Sequence, residues 1–444
     1  MWAWVLKGWL IFFIVYSESK NHKIIMRKII FSALALTSFS VFAGGFQLNL
    51  QGVRSIGMGG AYTGLAHGPA TTYFNPGGLT NIKGHQFSFG LNTVHPSVSL
   101  QTEVHDNIDQ TTGMATPLHF YYGGQITEKL YVGFGLNNQF GSSSSFEDDW
   151  QGKYIVQNIG LRTFMFQPTI AYKLHEKISI GIGAVYTNGS FSYEKAVPLT
   201  SDSLYGKARL EGKGSSFSFN AGIYSQLIKN DKIELGLGLN YRSGIKLGLD
   251  GGTATFSNIP SSLSTTFPSS TNFSGELNLP SVTTAGLSFK YILNEKSELI
   301  FAYDFAATAW SSYDTLAFDF ENEATPDSKT VKNWQNVTSH KFGLEYKYDK
   351  FYFRVGGYYD QSPILDGYVS PELPDASHMA PTFGFGMDIT DMIGFDISYL
   401  SQKYSRESAL DDAGFSAKYN RGVDVLSFSA TIKLKGKEVE TITE

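Results

Sequence analysis

The residue types that most often carry out chemistry occur in this 444-residue chain, but their spacing does not suit catalysis. Cysteine is absent, which excludes disulfides, thiolate metal sites and cysteine nucleophiles. The nine histidines include no H-E-x-x-H pair, and no G-x-S-x-G segment occurs. The segment Gly57-Met58-Gly59-Gly60 lacks the βαβ context and the following lysine of a nucleotide-binding loop. We therefore predict that the protein is not an enzyme and holds no cofactor or metal ion.

The composition narrows the class of protein further. The 40 acidic and 35 basic side chains leave a net charge of −5, and 42% of the residues are hydrophobic, which excludes a polybasic nucleic-acid binder and a disordered chain. The 25 Tyr, 34 Phe and 46 Gly residues favour β-strands with close turns. A mean hydropathy of −0.13 is too polar for a bundle of membrane helices, each of which needs about 20 apolar residues. If the chain spans a membrane, it must do so as strands.

The N-terminal region predicts export. Met26-Arg27-Lys28 precedes an apolar run at 29–42 and a small residue at Ala43, which is the pattern of a secretory signal peptide cleaved after Ala43. Residues 1–43 are thus interpreted as an N-terminal extension and a signal peptide, with Met26 as the true start. The apolar stretch 2–16 leaves an inner-membrane anchor as the alternative. An exported chain is periplasmic, secreted or located in the outer membrane.

From residue 86 to residue 435 the sequence repeats one unit, in which an alternating run, a tight turn, a second alternating run and a long polar stretch follow one another. Six short turns lie near residues 128, 175, 230, 295, 349 and 391. Together with seven longer stretches they predict an all-β protein, a 14-stranded antiparallel transmembrane β-barrel. Residues 436–444 would form a polar C-terminal tail.

Alternation alone does not decide which face of the strands meets lipid or water. The run 234–241 alternates Leu with Gly or Asn, as either a soluble barrel or a membrane barrel would. The predicted signal peptide, the asymmetry between short turns and long loops, and aromatic residues near strand ends, as at Phe351-Tyr352-Phe353, favour the membrane. We predict a multi-pass barrel in the outer membrane of a Gram-negative bacterium.

Residues 44–85 do not follow the barrel pattern. They carry small residues and turn formers, and they also carry apolar residues that a solvated tail would not need: Phe46, Leu48, Leu50, Val53, Ile56, Met58, Leu65, Phe74 and Leu79. Side chains of the wall cannot fill the lumen of a barrel with fourteen strands. We therefore predict that this segment is an N-terminal hatch, or plug, in the lumen, with a disordered periplasmic tail as the alternative.

Several motifs together resemble the FadL/TodX family of outer-membrane transporters of long-chain fatty acids and other hydrophobic compounds. These motifs are Gly45-Phe46-Gln47-Leu48-Asn49, Gly57-Met58-Gly59-Gly60-Ala61-Tyr62, Asn75-Pro76, Leu239-Asn240-Tyr241-Arg242-Ser243, Leu277-Asn278-Leu279-Pro280, Ala309-Trp310-Ser311, Phe353-Arg354-Val355-Gly356 and Asp360-Gln361-Ser362-Pro363. Each is weak alone, whereas their order and spacing are specific, and the resemblance covers essentially the whole mature chain. The family continues Asn-Pro with Ala, where this chain has Gly77 and Gly78.

The resemblance implies a monomer surrounded by outer-membrane lipid and lipopolysaccharide that takes up a hydrophobic small molecule, such as a fatty acid, without an energy source. It implies capture by loops, an apolar pocket, movement of the hatch, and lateral exit at a kink in the third strand, which is expected at 130–141. By position, Phe46 would lie beside the pocket and Asn75-Pro76 would approach the kink. The implied ligand-binding or gating residues are Phe46, Leu48, Asn75, Pro76, Asn137, Asn138, Gly141 and Arg242.

The chemical identity of the ligand stays open. A carboxylate would need a basic partner, and the nearest candidates by strand position are Arg162, Lys195, Arg242 and Lys246. The stretch 187–190 carries no basic residue where the resemblance implies one, so a neutral hydrocarbon or another lipid is also a candidate. The loop 251–272 offers apolar residues for capture. The alternative functions are a general diffusion porin and an outer-membrane hydrolase.

We predict that deletion of residues 436–444 leaves barrel assembly intact, because the alternating pattern of the last strand ends before them. The measurement is heat-modifiable gel mobility, in which a folded barrel migrates faster than the boiled protein, with the full-length chain as the control. A truncated protein that migrates only as the unfolded form would contradict the prediction.

Overall fold

A computed structural model describes residues 44–105, 107–111, 113–199 and 205–435. The predicted signal peptide, 1–43, and the predicted tail, 436–444, lie outside the described residues, and so do residues 106, 112 and 200–204.

Fourteen antiparallel strands form a closed barrel, and the number predicted from the sequence is confirmed. The barrel strands are β1 (His85–Gln101), β2 (Leu118–Gln125), β3 (Leu130–Asn137), β4 (Asn158–His175), β5 (Ile178–Pro198), β6 (Tyr205–Lys229), β7 (Ile233–Arg242), β8 (Val282–Asn294), β9 (Ser297–Thr308), β10 (Val337–Tyr348), β11 (Phe351–Asp360), β12 (His378–Asp388), β13 (Ile393–Leu410) and β14 (Phe415–Leu434). β14 closes the barrel by pairing with the whole of β1, from His85 opposite Leu434 to Gln101 opposite Lys418.

The long stretches between strand pairs contain more regular structure than the sequence pattern indicated. Their short strands are Ile108–Asp109, Gly141–Ser145, Ile245–Gly248, Gly252–Ser257, Ser270–Leu279, Thr315–Phe320 and Ser328–Val331. The barrel strands β5, with 21 residues, and β6, with 25, end beside the long stretch that the sequence predicts between them.

The helices are short and lie in the N-terminal segment and in the loops. They are α1 (Val53–Gly57) and α2 (Thr71–Phe74), with 3₁₀ helices at Pro76–Asn81, Ser261–Leu263, Trp310–Ser312 and Asp411–Ala413. In the part of the chain that the structure describes, every helix is too short or too polar to cross a membrane.

The apolar face of the strands points outward. On β7, Leu237 and Leu239 are 39% and 48% exposed on the outer surface, whereas the inward positions Gly238 and Asn240 are buried. A soluble barrel would show the opposite arrangement. The outer surface is therefore suited to lipid, as the strand pattern and the aromatic residues near strand ends predicted.

The N-terminal segment, residues 44–84, packs against the inward face of the wall through glycines. Gly59 has a positive φ of 63°, and it lies beside Gly343, where an added Cβ atom would be 2.5 Å from the carbonyl oxygen of Met58. Gly64 approaches Gly286 in the same way, and a Cβ atom on Gly64 would lie 2.5 Å from the Gly286 carbonyl carbon. Inward glycines thus let the backbone of the segment touch the backbone of the wall.

We predict that Gly343→Ala displaces the N-terminal segment without unfolding the barrel, because the new methyl group overlaps the Met58 backbone. The expected results are faster proteolysis of the segment and a higher single-channel conductance in planar bilayers. The matched control is Gly422→Ala on β14, where the nearest atom to an added Cβ is 3.8 Å away. Equal proteolysis and conductance in the two variants would contradict the prediction.

Candidate functional site

The third barrel strand is interrupted halfway along its length. β3 pairs with β4 as far as Asn137, opposite Met165, and pairing resumes at Gly141, opposite Arg162. Four steps along the third strand match three steps along β4, which makes the interruption a β-bulge. We call residues 138–140 the break. The break lies where the sequence predicted a kink.

Asn138 links β2, β4 and the N-terminal segment at the break. Its Oδ1 accepts a hydrogen bond from Leu118 N at 3.1 Å, and its Nδ2 donates to Thr163 O at 2.5 Å. Its backbone carbonyl accepts from Gln51 Nε2 at 2.9 Å. The neighbouring Asn137 side chain is buried, and neither of its amide atoms has a hydrogen-bond partner among the described residues.

Residues 44–51, the leading stretch, supply the backbone partners that the break would otherwise lack. Leu48 N donates to Gln139 O at 2.8 Å, and Gly141 N donates to Phe46 O at 3.0 Å. Gln47 and Phe140 form the antiparallel bridge between these two bonds. The leading stretch therefore acts as a short additional strand on the inner side of the wall.

Phe46 anchors the leading stretch in an aromatic cluster. Its ring lies 4.8 Å from Trp310, 5.2 Å from Tyr313 and 5.3 Å from Trp334, measured between ring centroids. Only 8% of Phe46 is exposed. Aromatic contacts of this kind add to the stability that burial alone gives, so the cluster holds the leading stretch in place.

A cavity of about 1390 Å³ lies beside the leading stretch and the break. Leu48 and Phe46 line it from the leading stretch. Its floor is apolar and combines side chains of the leading stretch with those of β1, β13 and β14: Leu48, Leu50, Val94, Leu400, Val423 and Val425. The volume exceeds that of most small-molecule pockets, so it can hold a long flexible molecule.

Beside the break, the cavity lining includes residues on both sides of a gap in the wall, 113–117 and 141–143. The hydrogen bond between Leu118 N and Asn138 bounds the gap at one end, and the hydrogen bond from Thr111 N to Ser145 O, at 2.8 Å, bounds it at the other. The lining combines inward side chains such as Leu400 with outward ones such as Arg162. We call this gap the lateral window.

A buried ion pair links two of the long loops. Lys332, in the loop between β9 and β10, donates to Glu372, in the loop between β11 and β12. Their residues are 7% and 9% exposed. Ser144 Oγ, just above the break, donates to Pro371 O at 3.1 Å in the same loop. These contacts tie two extracellular loops to each other and to the upper edge of the lateral window.

Ion pairs hold the rest of the N-terminal segment against the wall. Arg54 donates to Glu345 on β10 at 2.5 Å, and Arg354 on β11 donates to the other oxygen of Glu345 at 2.5 Å. Arg354 also donates to Asp396 on β13 at 2.5 Å. The side chains of Glu345 and Arg354 are each only 1% exposed, so these ion pairs are shielded from water and salt. We call these four residues the anchor cluster.

Further contacts fix the segment beyond α1. The carboxylate of Asp304 on β9 accepts from Tyr62 N and Thr63 N, each at 2.9 Å. Burial raises the pKa of the Tyr62 phenol to about 12, so the phenol stays protonated and donates to His67 O at 2.7 Å. The segment is therefore held against several strands by buried hydrogen bonds.

Asn75 and Pro76 do not approach the break, contrary to the expectation from the sequence. Asn75 is fully buried, and its Nδ2 donates to Thr63 O at 3.1 Å and to Ile223 O on β6 at 3.0 Å. Its Oδ1 accepts from Gly77 N at 3.2 Å and caps the 3₁₀ helix that follows. Pro76 lies against Gly181 on β5. The contact with β3 comes from Thr72 and Leu79, which lie against Gly133.

The four basic residues proposed as partners of a ligand carboxylate lie elsewhere or are already engaged. Arg242 is 3% exposed, and it donates to Gln167 Oε1 at 2.9 Å and to Tyr73 O at 3.0 Å. Arg162 faces the outer surface. Lys195 does not line the cavity, and the exposed Lys246 pairs with Glu276 at 3.7 Å.

The loop expected to capture ligand is folded back on itself. Phe256 is 7% exposed, and its ring lies 5.3 Å from Phe267 and 6.1 Å from Phe320. Ile259 and Phe267 are partly buried against the same core. The apolar side chains of 251–272 thus pack with one another and form little exposed apolar surface.

Sequence reasoning missed the wall of the cavity that β11–β14 provide. The inward positions there alternate apolar and polar residues, as in Leu400, Gln402 and Tyr404 on β13 and in Arg421 and Val423 on β14. The pattern was visible as strand alternation, but nothing in it shows which inward positions border empty space.

Residues 34–433 match the family described as outer membrane protein transport protein (OMPP1/FadL/TodX). The chain belongs to this family. The long-chain fatty acid transport protein of Escherichia coli is 27% identical over 412 residues, which cover 82% of this chain and 88% of that protein. A FadL homologue of Pseudomonas aeruginosa superposes with a TM-score of 0.75 at 17% identity and covers 88% of this chain and 100% of that one. The Pseudomonas putida toluene transporter TodX gives 0.65 at 16% identity, with coverages of 89% and 100%.

This membership agrees with the resemblance found in the sequence and places the barrel in the outer membrane of a Gram-negative bacterium. The relatives named above are transporters, in agreement with the expectation that the chain is not an enzyme. Within the described ranges, no three His, Asp or Glu side chains converge as they would around a metal ion.

We predict that Glu345→Gln destabilises the folded protein by about 3 kcal/mol, because it leaves the buried guanidinium groups of Arg54 and Arg354 without their shared carboxylate. The measurement is urea unfolding of the barrel in lipid vesicles, followed by tryptophan fluorescence. Glu276→Gln, which removes an exposed pair 3.7 Å long, is the control and should change the stability by less than about 1 kcal/mol. Equal losses in both variants would contradict the proposed importance of the anchor cluster.

Proposed function

We propose that the protein takes up hydrophobic molecules across the outer membrane by passive diffusion through the barrel wall. The ligand would enter between the extracellular loops, occupy the cavity and leave through the lateral window into the membrane. Its substrates would belong to the range indicated by the relatives, which include a long-chain fatty acid transport protein and a toluene transporter.

The observation that supports this proposal is that the apolar floor and the outward-facing side chains beside the lateral window line one cavity. Burying an acyl chain contributes about 0.8 kcal/mol per CH₂ group, so the floor can extract an amphiphile from water without an energy source. A lateral path also spares the ligand from crossing a water-filled lumen.

We further propose that the leading stretch is the gate and that the remainder of the N-terminal segment stays in place as a plug. The anchor cluster and Asp304 hold the segment beyond residue 53 against the wall by buried charged contacts. The leading stretch is held by the aromatic cluster, by two backbone bonds to the break and by a bond from Gly45 N to Asp375 at 2.9 Å. This division restricts the hatch movement that the resemblance implies to the leading stretch.

A plug that stays in place would distinguish this protein from a general diffusion porin, which needs an open aqueous lumen. Residues of the N-terminal segment contact β9 through Tyr62, β10 through Arg54 and β6 through Asn75. These contacts support a plug that crosses the lumen. We propose that the protein acts as a monomer, because one closed barrel contains the whole path, and that lipopolysaccharide and lipid surround its outer surface.

The test uses a disulfide that holds the leading stretch against the break and that can be reduced again. Gln47 and Phe140 form an antiparallel bridge flanked by two backbone bonds, a geometry in which paired cysteines can form a disulfide. The chain has no native cysteine, so the double variant Gln47→Cys with Phe140→Cys carries one possible disulfide. We expect oxidation to reduce uptake of radiolabelled oleate and toluene to the level of cells without the protein, and a reductant to restore it.

Each single-cysteine variant under the same oxidant is the matched control and should transport as well as the reduced double variant. Full uptake by the oxidised double variant would show that the leading stretch is not the gate. Absence of uptake in the unmodified protein, for both probes, would contradict the transport function itself.

A further inference from the structure

The outer face of β4, β5 and β6 carries a row of aromatic side chains. Strand register places Phe166, Tyr186 and Phe217 side by side, with ring centroids 6.2 Å and 5.1 Å apart between neighbours. Phe217 is 79% exposed. Aromatic side chains on the outside of a membrane barrel lie where the hydrocarbon core meets the lipid head groups. This row therefore gives the level of that boundary on this side of the barrel.

A second outward row, four residues further toward the extracellular ends of the strands, carries two cations. Arg162 lies opposite Ser190, and Ser190 lies opposite Lys213. All three side chains are exposed, and each is next to a buried residue in its own strand. Four residues correspond to about 13 Å along a strand. We call these three residues the cation row.

The two cations of this row are available to a ligand. In the ranges that the structure describes, neither the Arg162 nor the Lys213 side chain has a hydrogen-bond or ion-pair partner. Glu211 is the next outward residue on β6, and Arg209 already engages it at 2.7 Å. The cation row therefore presents a positive charge that the neighbouring acid does not neutralise.

The spacing of the cation row suits a phosphate group. Neighbouring strands lie about 4.8 Å apart, so the Cα atoms of Arg162 and Lys213 are about 10 Å apart, with the small Ser190 between them. Both long side chains can reach one phosphate above Ser190, and the serine hydroxyl can donate to it. A guanidinium binds phosphate through two parallel hydrogen bonds, and an ammonium binds it as a point charge.

An open strand edge beside Lys213 also requires a polar environment. β6 pairs with β7 only as far as Asn220, and with the short strand Gly252–Ser257 only from Glu211 onward. Among the described residues, no strand pairs with this edge of β6 at 212–218. Lipid tails cannot satisfy backbone groups on an open edge, whereas water and polar head groups can. The surroundings of Lys213 thus suit a head group better than an acyl chain.

We propose that the cation row is a binding site on the outer wall for a phosphate group of lipopolysaccharide, whose acyl chains lie on the aromatic row and the apolar surface below it. A glycerophospholipid carries its phosphate close to its acyl chains. Lipid A carries its phosphates on the sugars to which the acyl chains are attached, and therefore further out, where the cation row lies. The inference rests on the outer-membrane location and is independent of the proposed uptake function.

The experiment measures binding of purified lipid A to the detergent-solubilised barrel by native mass spectrometry. Lipid A from which the phosphates have been removed and dioleoyl phosphatidylglycerol are the comparison lipids. We expect the double variant Arg162→Gln with Lys213→Gln to bind lipid A about tenfold more weakly, and to bind the dephosphorylated form as the unmodified protein does. The matched control is Lys403→Gln, which removes an exposed outward cation from β13 and should change lipid A affinity by less than about twofold.

The affinity for lipid A should fall with rising salt concentration in the unmodified protein, and less so in the double variant, because exposed charges are screened. Equal affinity of the unmodified protein for lipid A and its dephosphorylated form would overturn the phosphate assignment. Binding of phosphatidylglycerol as tight as that of lipid A would overturn the assignment to lipopolysaccharide. Heat-modifiable mobility identifies a variant that has not folded; the exchange Arg162→Lys with Lys213→Arg, which keeps both charges, should then retain binding of lipid A, and its loss would contradict the proposal.

Discussion

A strand that is broken inside a membrane protein leaves backbone N–H and C=O groups that lipid cannot satisfy. The break in β3 is tolerated here because residues 46–48 provide the hydrogen bonds that a neighbouring strand would have made. The wall and the leading stretch are therefore not independent, because removal of the stretch exposes the unpaired groups at Gln139 and Gly141. A movement that opens the cavity must replace these hydrogen bonds with bonds to water or to ligand. The free-energy cost of breaking them opposes spontaneous opening.

The number of strands and the short turns followed from the sequence, because alternation with period two is a local property. The outward direction of the apolar faces followed only from the predicted signal peptide, the asymmetry of turns and loops, and the aromatic residues near strand ends. Alternation places glycines on the face opposite the apolar side chains but does not show what they contact. Their role became visible only when Gly343 and Gly286 were seen to contact Met58 and Gly64, across sequence separations of more than two hundred residues. Contacts between a segment and the opposite wall of a barrel depend on how the barrel closes and on the register of its strands. The sequence of a single strand shows neither.

The candidate site shows the same limit. The leading stretch is short and its motif is specific, so the sequence allowed Phe46 and Leu48 to be expected beside the cavity. Both residues line it. Position alone also favoured Arg242, which the structure places beneath Gln167 and Tyr73, outside the cavity lining. Arg421 was not singled out, although it shares the inward face of β14 with the buried Tyr419 and Val423. Which inward-facing basic side chain borders the cavity is a property of the surrounding strands.

The length of β6 bears on how a hydrophobic molecule reaches the protein. A strand needs about ten residues to cross the hydrocarbon core, whereas β6 has 25 and its partner β5 has 21. More than half of this side of the wall therefore stands outside the hydrocarbon core of the membrane. Under the proposed function, a poorly soluble molecule would pass the hydrated layer at the membrane surface inside the protein and would not have to dissolve in that layer.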